Sequence, residues 1–225
     1  MKQRVFGTVA AFLAAVLLLT VPCSANSARS AVVLDCVSGR LLLDKKGSEK
    51  SLIASTTKIM TALLVCERCN VLDQMVIPKQ AVGIEGSSMY LKEGERLTLQ
   101  ELLYGLMLSS GNDAAVALAL YCCGSIQEFA NLMNDKARSL GMTGSHFENP
   151  NGLDSPNHYS TARDLAILAS YAMENPIFQK TVSTKTVTVG NRVLRNHNKL
   201  LWLYPEADGV KTGYTKAAGR ILVSS

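Results

Sequence analysis

Histidine is scarce in this 225-residue chain: His146, His158 and His197 are the only three, and they stand far apart. None has a partner at the close ligand spacing that zinc hydrolases use, so the sequence predicts a mechanism without metal or other cofactor. Basic clusters are lacking too. The net charge is only +5, and no Lys/Arg run interleaved with aromatics argues for a nucleic-acid partner. Such a mild balance fits an anionic wall surface and an ordinary solvated face equally well. A regular cysteine framework is also missing. Beyond Cys23 the chain has Cys36, Cys66, Cys69, Cys122 and Cys123, an odd number at irregular spacings. Cys66-Glu67-Arg68-Cys69 has redox-pair spacing, but it lies in a helical run without a second pair. These residues read as small apolar side chains kept as thiols. No internal repeat or low-complexity tract occurs.

The one long apolar run is at the start. Lys2 and Arg4 precede the uncharged stretch Val5 to Val21, followed by Pro22-Cys23-Ser24-Ala25. This order predicts a secretory signal peptide over residues 1–25, cleaved after Ala25 or Ala28, and hence an exported protein. The run is at the short end for a membrane span, and Pro22 argues against lipid attachment at Cys23. At the other end, Arg220 to Ser225 reads as the middle of a strand, which would leave an unprotected sheet edge. The expectation is a fragment of a longer reading frame, with one domain over residues 29–225 that is incomplete at its C-terminal end.

Ala31 to Asp35 and Leu41 to Leu43, around Ser38-Gly39, predict a hairpin. Apolar spacing predicts helices from Ser55 to Cys66, Leu97 to Met107, Ala114 to Tyr121, Ile126 to Leu140 and Thr161 to Met173. Asn112-Asp113 reads as an N-cap. Strand chemistry returns at Thr181 to Val189, pairs with Arg192 to Leu194 across Gly190-Asn191, and recurs around Gly213 and Gly219. Strands at both ends with helices between predict an α+β fold whose antiparallel sheet joins sequence-distant segments.

Three short motifs carry chemistry. In Ser55-Thr56-Thr57-Lys58 the serine and lysine share a helix face, which brings an amine beside Ser55 Oγ. A serine hydroxyl needs such a base, and a lysine serves as one only if burial or a nearby cation lowers its pKa. Lys211 could supply that cation. In Ser110-Gly111-Asn112, Ser110 reads as a proton relay and Asn112 as an amide donor to a substrate carbonyl. In Lys211-Thr212-Gly213, an edge strand offers a charge and a hydroxyl to a free carboxylate. Gly213 lets a substrate backbone lie alongside, and the Tyr214 N–H is a candidate oxyanion donor with the Ser55 helix start. Singly these are weak: Ser-x-x-Lys arises about once by chance in such a chain, Lys-Thr-Gly about a few hundredths of a time. Ser110 to Asp113 alone would be a helix cap, and Lys211 to Gly213 alone a surface strand with a glycine bulge. Their order and local setting single them out together.

The set resembles the active-serine motifs of penicillin-interacting enzymes, and among these the low-molecular-mass penicillin-binding proteins, the serine-type D-alanyl-D-alanine carboxypeptidases. Ala54 to Ala62, Gly86 to Leu91, Asn151 to Asp154, Tyr159 to Asp164 and Asp208 to Thr215 carry the resemblance. It implies a transpeptidase/β-lactamase-like fold, an antiparallel sheet flanked by helices with a mostly helical lobe. It further implies hydrolysis of peptidoglycan stem peptides through an acyl-enzyme on Ser55, with β-lactams as inhibitors. Relatives of this kind continue into a β-rich domain and a membrane anchor, so membrane association through a missing C-terminal anchor is expected. A serine β-lactamase is the nearest rival, but Glu148-Asn149-Pro150-Asn151 lacks the Glu-x-x-Leu-Asn pattern of its deacylating base. A non-catalytic β-lactam-sensing or wall-binding module is the other, and it would have no need of a base beside the serine.

Overall fold

The structure is a computed structural model that describes residues 27–225; the predicted signal peptide lies outside the described residues. The elements are β1 (Ala31–Leu34), β2 (Leu41–Lys45), a 3-10 turn (Ala54–Thr57), α1 (Lys58–Arg68), β3 (Gln74–Val76), β4 (Arg96–Thr98), α2 (Leu99–Met107) and α3 (Asn112–Cys123). They continue as α4 (Ile126–Ser139), α5 (Ala162–Met173), α6 (Pro176–Ser183), β5 (Thr186–Val189), β6 (Arg192–Arg195), a short α7 (Leu200–Leu203), β7 (Val210–Thr215) and β8 (Gly219–Ser224). The fold is α+β.

Helix α1 forms the axis of the core. Every residue from Lys58 to Val65 is buried, because α2, α3, α5 and α6 surround it. The first eight residues of α3 are buried in the same way. Helix starts follow local chemistry. Thr98 and Glu101 make a reciprocal capping box at α2, while Ser125 and Thr161 cap α4 and α5.

Three expectations need correction. Helix α3 starts at Asn112, with Gly111 as its uncapped N-cap. Asn112 and Asp113 therefore sit inside the first turn, their side chains engaged elsewhere. The stretch from Thr181 is not one strand: Asn175 accepts from the Ile177 and Phe178 N–H groups, Pro176 takes N1, and α6 runs to Ser183 before β5 begins. Phe178 and Val182 are buried by this helix, and their burial outweighs the β-branched alternation that predicted a strand.

The third concerns the sheet. Among the described residues the strands form four two-stranded antiparallel ladders, β1–β2, β3–β4, β5–β6 and β7–β8. The terminal hairpins do not hydrogen-bond to each other. Both pack on α5, and a cleft of about 750 Å³ separates them, lined by Val32, Leu34, Leu165, Ala169, Ile221 and Val223 among others. A shared helix, rather than a shared ladder, links the two hairpins.

Candidate active site

Ser55 sits in the 3-10 turn that leads directly into α1. Lys58 opens α1 and has no exposed surface. Its Nζ lies 2.9 Å from Ser55 Oγ, 2.7 Å from Asn112 Oδ1 and 2.5 Å from the Asn151 carbonyl oxygen. The Asn112 and Asn151 carbonyl oxygens can take both protons of a neutral amine, leaving its lone pair toward the Ser55 hydroxyl. Burial pushes the Lys58 pKa well below its usual value, the Lys211 charge pushes it further, and Asp113 partly opposes both. The site thus favours a neutral amine whose lone pair can take the Ser55 proton.

Lys211 is also buried, with Nζ donating to the Thr212 carbonyl at 2.9 Å. Burial lowers its pKa to about 7. Strand β7 brings it there by packing on the 3-10 turn. The approach depends on Gly213: a Cβ at this position would lie 3.2 Å from the Ser55 nitrogen and 3.3 Å from the Thr56 nitrogen and the Ile53 oxygen. Thr212 is half-buried beside it, and Tyr214 is exposed further along.

Ser110 occupies a left-handed backbone position, φ 60°, immediately before α3, and is buried. Asn112 is held at both ends of its amide: Oδ1 accepts from Lys58, and Nδ2 donates to the Glu85 carbonyl at 2.5 Å. The second Nδ2 proton is what it can offer a ligand. The structure therefore joins Ser55, Lys58 and Asn112 by direct hydrogen bonds. Lys211 comes within electrostatic reach, Gly213 lies against the serine backbone, and Ser110 stands two residues from Asn112.

Several supports escaped the motif reading. Asp113 is fully buried and accepts from Ser88 Oγ (2.6 Å), Met89 N (3.0 Å), Leu91 N (3.0 Å) and Ala114 N (2.9 Å). It ties the Gly86–Leu91 loop to the head of α3. The Asn151 carbonyl that meets Lys58 is set by a turn in which Asn149 accepts from Gly152 N and Asn151 accepts from Leu153 N. Gly152 is at φ +85°, and a Cβ there would fall 1.9 Å from the Ala54 oxygen. Behind Lys58, the Thr57 hydroxyl is 2.7 Å from His158 Nε2. The turn-prone run Asn149-Pro150-Asn151-Gly152 was the sequence signal for this wall; Asp113 gave none beyond its place in a helix start.

Glu148, the candidate base of the β-lactamase alternative, is engaged within its own loop. Both Glu148 carboxylate oxygens are engaged, one by the Ser155 hydroxyl and the other by Asn157 Nδ2. These contacts hold the carboxyl below the usual carboxylate range.

A fold that sets a serine beside a buried lysine, between a helix head and a glycine-bearing edge strand, defines a class, and known proteins show which. A family model described as D-alanyl-D-alanine carboxypeptidase matches residues 19–225. The chain belongs to this family. It is 38% identical to the D-alanyl-D-alanine carboxypeptidase DacF of Bacillus subtilis over 211 residues, 89% of this chain and 54% of that protein. It is 34% identical to DacB2 of Mycobacterium tuberculosis, covering 92% of this chain and 72% of that one. Among solved structures, penicillin binding protein 5 from Haemophilus influenzae matches with a TM-score of 0.83 at 33% identity, over 88% of this chain and 60% of that one. The chain spans about half the length of most of the curated relatives it matches, such as the 54% and 55% of the first two.

Proposed function

We propose that the protein is a serine D-Ala-D-Ala carboxypeptidase that removes the terminal D-alanine from peptidoglycan stem peptides. Neutral Lys58 takes the Ser55 proton as Oγ attacks the penultimate carbonyl. The Ser55 and Tyr214 N–H groups hold the oxyanion. Ser110 relays a proton to the leaving D-alanine amine, and Lys211 with Thr212 binds its carboxylate. Gly213 admits the peptide backbone along β7, and the second Asn112 amide proton meets a substrate carbonyl. Water then releases the acyl group from Ser55. A β-lactam would enter the same sequence and stall as an acyl adduct.

The single observation that carries this reading is the 2.9 Å contact between Ser55 Oγ and the buried Lys58 amine. A wall-binding module needs no such activated pair, and the Glu-x-x-Leu-Asn pattern of a β-lactamase's deacylating base is missing around Glu148, whose oxygens are held by Ser155 and Asn157. Export to the outer face of the membrane or the wall follows from the N-terminal pattern of Lys2, Arg4 and the apolar run, and the substrate lies there. On this reading residues 29–225 carry the catalytic unit.

The test is release of D-alanine from a synthetic peptide ending in D-Ala-D-Ala, together with the lifetime of a labelled penicillin adduct. Release that vanishes in Ser55→Ala, with a long-lived adduct on the unaltered chain, is expected. Release undiminished in that variant refutes the assignment. Absence of release with stable adduct formation favours the sensing module, and rapid turnover of a chromogenic cephalosporin favours the β-lactamase.

A further inference from the structure

Helices α1 and α3 start together and end together. At the near end Lys58 meets Asn112. The helices have 11 and 12 residues, so each runs about 16–18 Å away from the site. At the far end lie Cys69, which closes α1, and Cys122-Cys123, the last residues of α3, with Cys66 one turn earlier in α1. All four are free thiols, partly buried and packed against the core. Arg68, the residue before Cys69, lines one shallow pocket with Cys122 and Cys123, and the Cys69, Cys122 and Cys123 side chains interact.

We propose that Cys69 and Cys122 form a reversible disulfide that pins the far ends of α1 and α3. Two kinds of competing pair are disfavoured. Cys122 and Cys123 are neighbours in a helix, with Cα atoms about 3.8 Å apart, short of the roughly 4.4–6.8 Å that a disulfide spans. Cys66 is held by α1 beneath the surface, and burial pushes its thiol up to about 12. No group of three or more metal-ligating side chains is arranged to hold an ion among the described residues, so a shared metal does not explain the cluster.

The chemistry is thiol–disulfide exchange with an external disulfide. A shallow pocket of about 360 Å³ lined by Arg68, Cys122, Cys123, Glu128 and Leu132 opens on Cys122 and Cys123, and Cys69 is itself only partly buried. The Cys69 thiolate attacks one sulfur of RS–SR, forming a mixed disulfide and expelling RS⁻, which takes the proton that Cys69 gave up. The Cys122 thiolate then attacks the Cys69 sulfur and expels the second RS⁻, which takes the Cys122 proton. Two thiols are oxidised and one external disulfide is reduced to two thiols. Arg68 favours both thiolates electrostatically, while burial holds Cys122 up to about 11, so the exchange is slow at neutral pH. The bond closes a segment of about fifty residues that carries the Gly86–Leu91 loop and Ser110, enough to restrict the unfolded chain substantially.

Incubation of the full chain with excess oxidised glutathione at about pH 8.5, followed by intact-mass and peptide mapping, tests this. A loss of about 2 Da, a single Cys69–Cys122 linkage and a Tm raised by several degrees and reversed by dithiothreitol are expected. The rise should vanish in Cys69→Ala and in Cys122→Ser, and persist in Cys66→Ala. A Cys66–Cys69 linkage, glutathione adducts without an internal bond, or an unchanged mass after prolonged incubation overturns the proposal. So does an equal Tm rise on adding zinc to the reduced chain.

Discussion

Gly213 and Ser55 are in backbone contact: a Cβ on Gly213 would lie 3.2 Å from the Ser55 nitrogen. The neighbouring atoms are backbone, which cannot rotate aside, so β7 and the 3-10 turn would have to separate by a few tenths of an ångström. Gly213→Ala should therefore slow acylation of Ser55 by labelled penicillin about tenfold or more, since reacting groups misplaced by 1 Å cost about a hundredfold. Thermal unfolding should shift by only a few degrees. An unchanged acylation rate would mean that the strand edge tolerates the gap.

Lys58 is argued to be the base because it is desolvated, so charge alone should not replace it. Lys58→Arg keeps a cation but has no lone pair to accept a proton near neutral pH. Acylation in that variant should fall by about 10²–10⁴, with Lys58→Ala similar. Stopped-flow or gel-based adduct kinetics would measure both.

Much of this site was legible in the sequence because its parts are short and local. Ser55 and Lys58 are one turn apart, and Lys211 to Gly213 is a continuous strand. What the sequence hid were tertiary outcomes. Asn112 and Asp113 carry ordinary capping chemistry, yet α3 starts on them. Their side chains turn toward Lys58 and the Gly86–Leu91 loop instead. Thr181-Val182 sits in alternating β-branched sequence, yet the Asn175 cap and burial of Phe178 make it helix. The predicted common sheet failed for a similar reason: strand chemistry identifies strands but not their partners, and α5 lies under both terminal hairpins.

Asp113 should be the most sensitive residue that does not touch a ligand. It accepts from three groups of the Gly86–Leu91 stretch as well as from Ala114 N. In Asp113→Asn the amide N–H groups would face donors that now point at a carboxylate oxygen. A loss of about 2–4 kcal/mol in urea unfolding is expected. Penicillin acylation should fall as well, because the loop that carries the Glu85 carbonyl also anchors Asn112.

Lys211 gives a pH signature. Burial lowers its pKa to about 7 in the empty site, so it loses its charge as pH rises through that value. If it binds the substrate carboxylate, kcat/KM should decline above about pH 7, approaching tenfold per unit, because this ratio reports free-enzyme ionisations. The effect should fall mainly on KM, since a bound carboxylate restores the protonated form. Lys211→Ala should lose that limb and lower kcat/KM throughout.

His158 predicts how stability responds to acid. Its Nδ1 accepts from Glu148 N at 3.1 Å, which assigns the ring proton to Nε2, the donor to Thr57 Oγ1. Burial lowers its pKa from 6.5 to about 4, because the enclosed ring cannot be solvated as a cation. As pH falls below about 6.5 the unfolded chain gains a proton that the folded chain refuses until about pH 4. This contribution is thus fully present above about pH 6.5 and is lost through that window, amounting to about 3 kcal/mol. Urea unfolding between about pH 7 and 5 should show the decline before most carboxylates titrate. His158→Gln should be less stable at neutral pH but visibly flatter over that range. An equal slope in both proteins would exclude His158 as the source.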